Sequence, residues 1–427
     1  MDDKKSKLVE KKKNNTDDSI FSKENINMLH QPEFDYLKTL GIFLIAHVHV
    51  YDNYSYGYFQ EFIDFIGFIV GAGGFMILMG LGMKYSRHHD PKNYVTRGFI
   101  LLTLGQLVNL LRDCLPNLIA WWATGNKIFI SRSLLLLQTD ILTFAGLAFL
   151  VFAMMKQMKL SDNCILIISF IMNIAAFYIY KLIKPPNNIL SNIFLGYIIL
   201  TKAESFFPLF SYFIFVSFGY WLGGIYQKLL NKEKFYFFIL IFCFPIVTMY
   251  YYLRSHYNFP ILPEYYSDEH FCLNAGPDAI ICCITNITFL AFFYQIHKFI
   301  FKEKEPEFII HAGKNFNQYY IISYTFTMQT NTFLRALKGD DYPSKLKFPT
   351  LLGFMVLILC RFLIDINDKC IHFTITTLKN QKRNIVYALI WTSNIIIIIY
   401  IYPKVEIMAT IWNNYLRNNT NININNK

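Results

Sequence analysis

Phe34 to Asn53 reads FDYLKTLGIFLIAHVHVYDN and is the first long apolar stretch after a charged N-terminal region. If this stretch is a helix, Lys38 and His49 are eleven residues apart and share one face, about 16 Å apart along the axis. His47 lies nine residues from Lys38, about half a turn out of phase, so it points to the opposite face. The pattern therefore predicts one histidine on the face of Lys38 and the other facing away.

Carboxylates extend the face that Lys38 and His49 share. Asp35 precedes Lys38 by three residues, and Asp52 follows His49 by three. Charged groups at membrane depth usually face a cavity or the bundle interior. Because imidazole titrates near neutral pH, His49 is a candidate catalytic base, and a packing role is the alternative. The two-residue spacing of His47 and His49 turns their rings apart, so no metal site is predicted there.

The composition is that of a polytopic membrane protein. Of the 427 residues, 54% are hydrophobic and 18% are aromatic, with a mean hydropathy of +0.31. The formal charge of +11 comes from Lys and Arg at the ends of apolar runs, so the lipid bilayer is the expected partner and nucleic acid is not. None of the eight cysteines has the spacing of a zinc site, and no bound metal is expected.

Hydropathy predicts an all-α fold, a polytopic integral membrane helix bundle with about 10–11 transmembrane helices. Residues 34–403 form this bundle, between a disordered cytoplasmic tail at 1–33 and an Asn-rich polar tail at 404–427. Alternating the spans places most basic loops on the cytoplasmic side, which predicts a multi-pass plasma membrane protein with a cytoplasmic N-terminus. The predicted spans are 34–53, 62–83, 99–111, 141–155, 164–182, 207–226, 235–253, 279–301, 318–334, 350–366 and 385–402.

Two polar features flank these spans. Cys114 and Cys272 fall in loops on the same predicted outer side, which leaves a disulfide between them open. Gln138 and Asp140 directly precede the fourth span. They either line the outer side of a cavity, as a substrate-binding pair, or cap that helix.

Several segments resemble membrane acyltransferases. FDYLKTLGIFLIAHVHV is similar to the opening helix of acyltransferase family three, which modifies cell-envelope polysaccharides and carries an Arg, ten mostly apolar residues and a His. Here Lys38 stands in place of the Arg. The likeness extends, from Phe34 to about Phe333, to the family that includes heparan-alpha-glucosaminide N-acetyltransferase and its bacterial relatives. The other similar segments are GGFMILMGLGMKYSRHHDPKNYVTRGFILLTLGQLVNLLRD, TDILTFAGLAFLVFAMMK, FPLFSYFIFVSFGYWLGGIYQK and HAGKNFNQYYIISYTF.

The resemblance implies an enzyme that moves an acyl group, typically acetyl, through the membrane to a hydroxyl or amine of an extracytoplasmic glycan or lipid. Acetyl-CoA or another acyl-CoA would be the donor substrate, with no bound cofactor. By the same resemblance His49 is the catalytic base or a transient acyl carrier, Lys38 helps to hold the donor, and Asp35 pairs with Lys38. Arg87 and Arg97 lie on the basic loop where the polysaccharide acyltransferases carry a further Arg motif.

Two features depart from the family pattern, and two other classes stay open. The ammonium of Lys38 cannot form the bidentate fork of a guanidinium, and Arg87 and Arg97 are ten residues apart with no close pair. The first alternative is a secondary transporter or lipid flippase in which Asp35, Lys38 and His49 form an intramembrane relay without a thioester donor. The second is a structural membrane subunit. In such a protein, neutralising the polar face would cause no loss of turnover.

Overall fold

The apolar stretch quoted above forms helix α1, Pro32–Tyr54, in the computed structural model of the chain. Proline is well placed at a helix start, where its missing N–H removes no helical hydrogen bond. Glu33 and Asp35 in the first turn interact favourably with the positive end of the helix dipole. Helix α1 continues without a break through both histidines and packs mainly against helices from the last third of the chain.

The described part of the chain is built from helices joined by short turns. The structure describes residues 19–54, 63, 66–87, 89–182, 189–200, 206–257, 276–339, 348–367, 385–397 and 399–400. After α1 the helices are α2 Gly74–Tyr85, α3 Pro91–Asn109, α4 Leu115–Thr124, α5 Lys127–Arg132, α6 Ile141–Gln157, α7 Asp162–Leu182, α8 Ile189–Gly196, α9 Leu209–Gln227, α10 Lys232–Tyr257, α11 Pro277–Gln295, α12 Glu307–Lys314, α13 Phe316–Lys338, α14 Pro349–Ile366 and α15 Ile385–Ile397. Wider π-helical turns occupy Gly67–Gly73, Leu110–Cys114 and Ile296–Ile300, and a 3-10 turn occupies Ser133–Leu137.

Six helical stretches in these described ranges are long and apolar enough to cross a bilayer. Three shorter apolar helices accompany them. Helices α1 and α13 have 23 residues each, about 35 Å at 1.5 Å per residue, and are more polar. The prediction of an all-α, multi-pass fold is confirmed. The eleven predicted spans correspond to the six long apolar stretches, the three shorter apolar helices, and α1 and α13. The six are Pro91–Thr124, Asp162–Tyr180, Leu209–Gln227, Lys232–Leu253, Pro277–Ile300 and Pro349–Ile366.

The third predicted span is shorter than the helical stretch in the structure. It was expected at 99–111, but the structure continues as one rod over Pro91–Thr124. The π turn Leu110–Cys114 carries Arg112 and Asp113 into the protein interior, so these charges do not terminate the helix. Cys114 therefore lies in a helix and not in a loop, with a free and buried thiol. Cys272, its suggested partner, lies outside the described residues.

The N-terminal segment packs beside the C-terminal end of α9. Ser22 N donates to Lys228 O at 2.8 Å, and Leu230 N donates to Ile20 O at 2.9 Å. From Ile20 onwards the segment expected as a disordered tail thus has defined backbone partners, since the loop after α9 offers it carbonyl and amide groups. Residues 1–18 and the predicted tail at 404–427 lie outside the described residues.

Helices α2 and α9 approach so closely that only glycine fits at their contact. A Cβ at Gly80 would lie 2.0 Å from Val216 O, and one at Gly219 would lie 2.0 Å from Ile77 O. Neither backbone oxygen can move without breaking a helical hydrogen bond. This contact joins α2 to the buried core, where α9 also packs on α7.

One end of the bundle carries most of the described ion pairs, and we call it the basic end. It contains the start of α1, the end of α2 and the start of α10. The opposite end, which we call the far end, contains the last turns of α1 and α13. The basic-end pairs are Lys84–Asp162 at 2.5 Å, Lys156–Asp162 at 2.9 Å, Lys232–Glu33 at 2.9 Å and Lys298–Glu233 at 2.7 Å.

Candidate functional site

Three aromatic and cationic side chains stack between α1, α13 and the π turn Leu110–Cys114. The ring of His49 lies parallel to the ring of Tyr324, with centroids 3.7 Å apart and 9° between the planes. The guanidinium carbon of Arg112 lies 4.1 Å from the same Tyr324 centroid. Two groups this close to one centroid cannot share a face without overlapping, so Tyr324 is held between His49 and Arg112. We call these three residues the stack.

Arg112 is fully buried, with 0% of its surface exposed, and its guanidinium is surrounded by acceptors. Nε and Nη2 each lie 2.6 Å from Asp113 Oδ2, and Nη1 donates to Asp140 Oδ2 at 3.0 Å. Nη2 also donates to Asn109 Oδ1 at 3.0 Å. A buried charge is tolerated only when paired and hydrogen-bonded in this way. Arg112 thus has a fixed position and presents no group to a substrate.

Asp140 links this network to two further helices. Its Oδ1 accepts from Tyr320 Oη at 2.6 Å and from Ile141 N at 2.6 Å. Asp140 therefore caps α6, one of the two alternatives expected from the sequence, and also belongs to the buried cluster around Arg112. Gln138 is buried and takes part through its backbone, because its carbonyl oxygen accepts from Asn109 Nδ2 at 2.9 Å.

His47 lies on the other side of α1, as the helical spacing predicts. Its exposed fraction is 0%, and Nδ1 lies 2.8 Å from Phe43 O. The ring packs on Phe354 with centroids 5.1 Å apart, and a Cβ added at Gly353 would lie 2.7 Å from Nε2. His49, in contrast, keeps part of its surface accessible. Of these two rings, only that of His49 has accessible surface.

Lys38 lies at the basic end and not beside His49. Its Nζ is 2.6 Å from Asp35 Oδ1, while eleven residues, about 16 Å of helix, separate Lys38 from His49. His30, Asp35 and Glu305 each bring one ligand atom within 4.8 Å of the others, a spacing that suits a divalent cation. The Lys38 ammonium already supplies positive charge there, so we assign no metal to this group.

Arg87 and Arg97 are exposed near the start of α3. Arg112 lies fifteen residues beyond Arg97 on the same rod, about 22 Å away. The structure therefore places the two predicted arginines near or just before the start of this rod, away from the stack. The side chain of Asp52, expected on the face of His49, lies outside the described residues.

Sequence reasoning missed Arg112, Asp113 and Tyr324. The signal was an Arg-Asp pair directly after the apolar run LLTLGQLVNLL, since adjacent opposite charges at the edge of a membrane segment can pair inside it. Tyr324 belongs to the predicted span 318–334. Helix α13 places Tyr324 against His49.

A family model matches this chain. The catalytic family described as heparan-alpha-glucosaminide N-acetyltransferase matches residues 31–250, which are 220 of the 427 residues. The match contains His49, Arg112 and Asp140 but not Tyr324. No curated protein and no solved structure matches the chain. Because the match covers more than half of the sequence, the chain belongs to the heparan-alpha-glucosaminide N-acetyltransferase catalytic family.

Proposed function

We propose that this protein is a multi-pass membrane acetyltransferase in which His49 is the general base. The observation that carries the proposal is the stack, in which a partly accessible imidazole is fixed against Tyr324 inside a membrane helix bundle. Acyl transfer needs a group that removes the acceptor proton, and imidazole does this near neutral pH. The family match supplies the reaction class.

In the proposed reaction His49 takes a proton from a hydroxyl or amine of the acceptor. The acceptor oxygen or nitrogen then attacks the thioester carbonyl, the new C–O or C–N bond forms, and the C–S bond breaks. The thiolate of the donor leaves and is protonated by the imidazolium or by water. In a second route a ring nitrogen of His49 attacks the thioester carbonyl, so that an N–acetyl bond forms as the C–S bond breaks and the thiolate leaves. The acceptor then attacks this acetyl group, the N–acetyl bond breaks, and the released imidazole takes the acceptor proton.

Arg112 has a positioning role in this proposal. It lies against Tyr324 on the side away from His49, and its carboxylate partners hold it in place. The network connects α1, α13, the π turn Leu110–Cys114 and the start of α6. Fixing a catalytic group in this way lowers the entropy lost on reaching the reactive geometry. We infer that Arg112 sets the orientation of His49 through Tyr324.

We infer that the donor is acetyl-CoA and that it enters from the basic end, which faces the cytoplasm in a plasma membrane. Its phosphates require cations, and Arg87, Lys92 and Arg97 are exposed on one loop and helix start there. Lys38 lies further along the path towards His49. The acceptor, an extracytoplasmic glycan or lipid, then approaches from the far end.

Transfer from radiolabelled acetyl-CoA in proteoliposomes tests the proposal. Wild-type protein should label an added amino-sugar or lipid acceptor, and His49→Ala should abolish that labelling. His256→Ala removes an exposed histidine of α10 and is the matched control, for which wild-type labelling is expected. Equal labelling by wild type and His49→Ala would contradict the assignment of the base.

If wild-type protein consumes no acetyl-CoA, the acetyltransferase proposal is wrong for this chain. Flux assays in the same vesicles then test the transporter or flippase alternative, which a buried charged network at membrane depth also suits. Hydroxylamine-labile acetyl label on the protein that disappears on adding acceptor, and that His49→Ala lacks, would favour the acyl-carrier route for His49.

A further inference from the structure

A cavity of about 500 Å³ lies on the face of α1 that carries His47. Thr39 and Phe43 line it, and they precede His47 by eight and four residues, so the three share one face. The other walls belong to α12, α13 and α14. The volume is that of a pocket that holds a ligand. Because His49 points to the opposite face of α1, this cavity is separate from the stack.

The rim of the cavity is apolar and exposed. Phe308, Ile358 and Phe362 line the cavity, with exposed fractions of 59%, 69% and 60%. Helix α14 is long and apolar enough to cross a bilayer, so its exposed apolar side chains meet lipid tails and not water. A lipid therefore reaches this cavity directly from the surrounding bilayer.

Charged side chains of α12 and α14 close one end of the cavity. Arg361, which lines it, has Nε 3.0 Å from Asp365 Oδ2 and Nη2 3.7 Å from Glu307 Oε1. His311 Nε2 lies 3.1 Å from Asp365 Oδ1. We call Glu307, His311, Arg361 and Asp365 the charge cluster. It gives the cavity one polar end beside otherwise apolar walls.

The direction of α14 places the charge cluster at the basic end. Gly353, near the start of α14, packs against His47, and α14 then runs back towards the start of α1. There Gly313 of α12 packs against the first turn of α1. Leu357 lies eight residues before Asp365, about 12 Å deeper in the bundle. The cavity is thus charged towards the membrane surface and apolar towards the middle of the membrane, as a lipid is.

The charges of the cluster favour one kind of headgroup. A guanidinium has five N–H donors, so Arg361 can bind a phosphate oxygen while it keeps its hydrogen bond to Asp365. Glu307 is held only by the 3.7 Å contact, and 91% of its side chain is exposed. Two carboxylates beside one guanidinium disfavour a purely anionic headgroup. A phosphate followed by an ammonium that can donate hydrogen bonds satisfies both Arg361 and Glu307.

We propose that the cavity binds one phosphatidylethanolamine molecule from the leaflet at the basic end. Its phosphate contacts Arg361, its primary ammonium donates to Glu307, and an acyl chain lies between α1 and α14. The lipid joins α1, the helix of both histidines, to α12 and α14. This inference is independent of the proposed function, because the site lies on the other face of α1 and its test needs no acetyl transfer.

Native mass spectrometry of the delipidated full-length protein tests this inference. The protein is titrated with phosphatidylethanolamine, phosphatidylcholine and phosphatidylglycerol that carry identical acyl chains. One phosphatidylethanolamine should bind about 10-fold more tightly than either of the others, the effect of one charge-assisted hydrogen bond. Choline has no N–H to donate, and glycerol has no positive charge.

Two headgroup variants assign the contacts. Glu307→Gln should lower the affinity for phosphatidylethanolamine to that for phosphatidylcholine. Arg361→Gln should weaken the binding of both lipids, because both carry the phosphate. Glu24→Gln removes another exposed carboxylate near the start of the described chain and should keep the wild-type preference.

A third variant tests the cavity itself. Ala312 lines it and is buried, so Ala312→Leu should fill part of the space and weaken binding of all three lipids. Thermal unfolding shows whether each variant is folded, and the two headgroup variants keep the test valid if Ala312→Leu is not.

The outcomes decide the inference without reference to catalysis. Equal affinity of wild type for the three lipids would mean unspecific contact with the bilayer and would overturn the site. Tighter binding of phosphatidylglycerol would overturn the role of Glu307, as would an undiminished preference for phosphatidylethanolamine in Glu307→Gln.

Discussion

His47 and His49 are two residues apart on α1 and have different surroundings. His47 is enclosed by Phe43, Phe354 and Gly353 and has no exposed surface. His49 stacks on Tyr324 and stays partly accessible. The residue type is the same, so the difference comes from the helical period alone. One face of α1 packs against its neighbours, and the other carries the histidine that we propose as the base.

The two faces also differ in what a substitution removes. On the face of His47 a change alters volume in a tightly packed contact, so stability should respond. On the face of His49 a change removes a reactive or charged group, so turnover should respond. The following predictions test this division from the largest expected effect to the smallest.

Replacing His49 by alanine should reduce acetyl transfer by about 10²- to 10⁴-fold, the usual contribution of a general base. The thermal unfolding midpoint should change little, because the ring is partly exposed. Rates are measured with labelled acetyl-CoA per folded molecule. The phase control is His47→Ala, which should unfold at lower temperature yet keep its turnover per folded molecule, and the reverse pattern would refute the assignment of the two faces.

Replacing Arg112 by methionine should destabilise the protein by about 3–5 kcal/mol, since Asp113 and Asp140 are then buried without their cation. Chemical unfolding in detergent measures this loss. Arg112→Met combined with Asp113→Asn and Asp140→Asn should recover part of the stability but not the turnover, if Arg112 also positions His49 through Tyr324. Full recovery of turnover in the triple variant would restrict Arg112 to a structural role.

Replacing Gly353 by alanine should lower stability by about 1–3 kcal/mol, because the new Cβ overpacks the contact with His47. Turnover per folded molecule should stay at the wild-type value. The double variant Gly353→Ala, His47→Ala provides the control, since the smaller side chain makes room for the Cβ. A loss of stability in the double variant equal to the sum of the single losses would contradict the contact.

Replacing Lys38 by glutamine should have the smallest effect on stability, about 1 kcal/mol, because 29% of the lysine side chain is accessible and the buried Asp35 keeps His30 Nε2 at 3.5 Å. If Lys38 helps to guide the donor, KM for acetyl-CoA should rise several-fold with kcat unchanged. Lys127→Gln removes an exposed lysine at the start of α5, at the other end of the bundle, and should change neither constant.

The fold was predictable from the sequence where one physical rule acts on many residues. Long apolar runs give helices, and the period of α1 separates His47 from His49. The helical spacing of α1 did not reveal which residues contact His49, because those residues come from distant segments of the chain. The sequence around Tyr324 carries no local signal that α13 lies beside α1. Only the packing of distant segments brings the two helices together.

The charged pair Arg112-Asp113 shows why the other part of the site was missed. A hydropathy rule treats two adjacent charges as the end of a span. In the folded protein Arg112 and Asp113 pair with each other. Asp140, 28 residues after Arg112 in the chain, adds a second carboxylate that pairs with Arg112. Pairing of this kind depends on the tertiary structure and leaves no periodic signal.

The number of residues in the π turn Leu110–Cys114 determines whether the site can form. A π turn, with its i→i+5 hydrogen bonds, takes one residue more than an α-helical turn, so deleting one residue here would give a regular α-helix and keep Leu115–Thr124 nearly in register with Pro91–Asn109. Both segments would keep their buried sides, but the bulge that carries Arg112 into the interior would be lost and its guanidinium would leave Tyr324. The extra residue of this one turn is therefore as necessary to the site as the identity of the arginine within it.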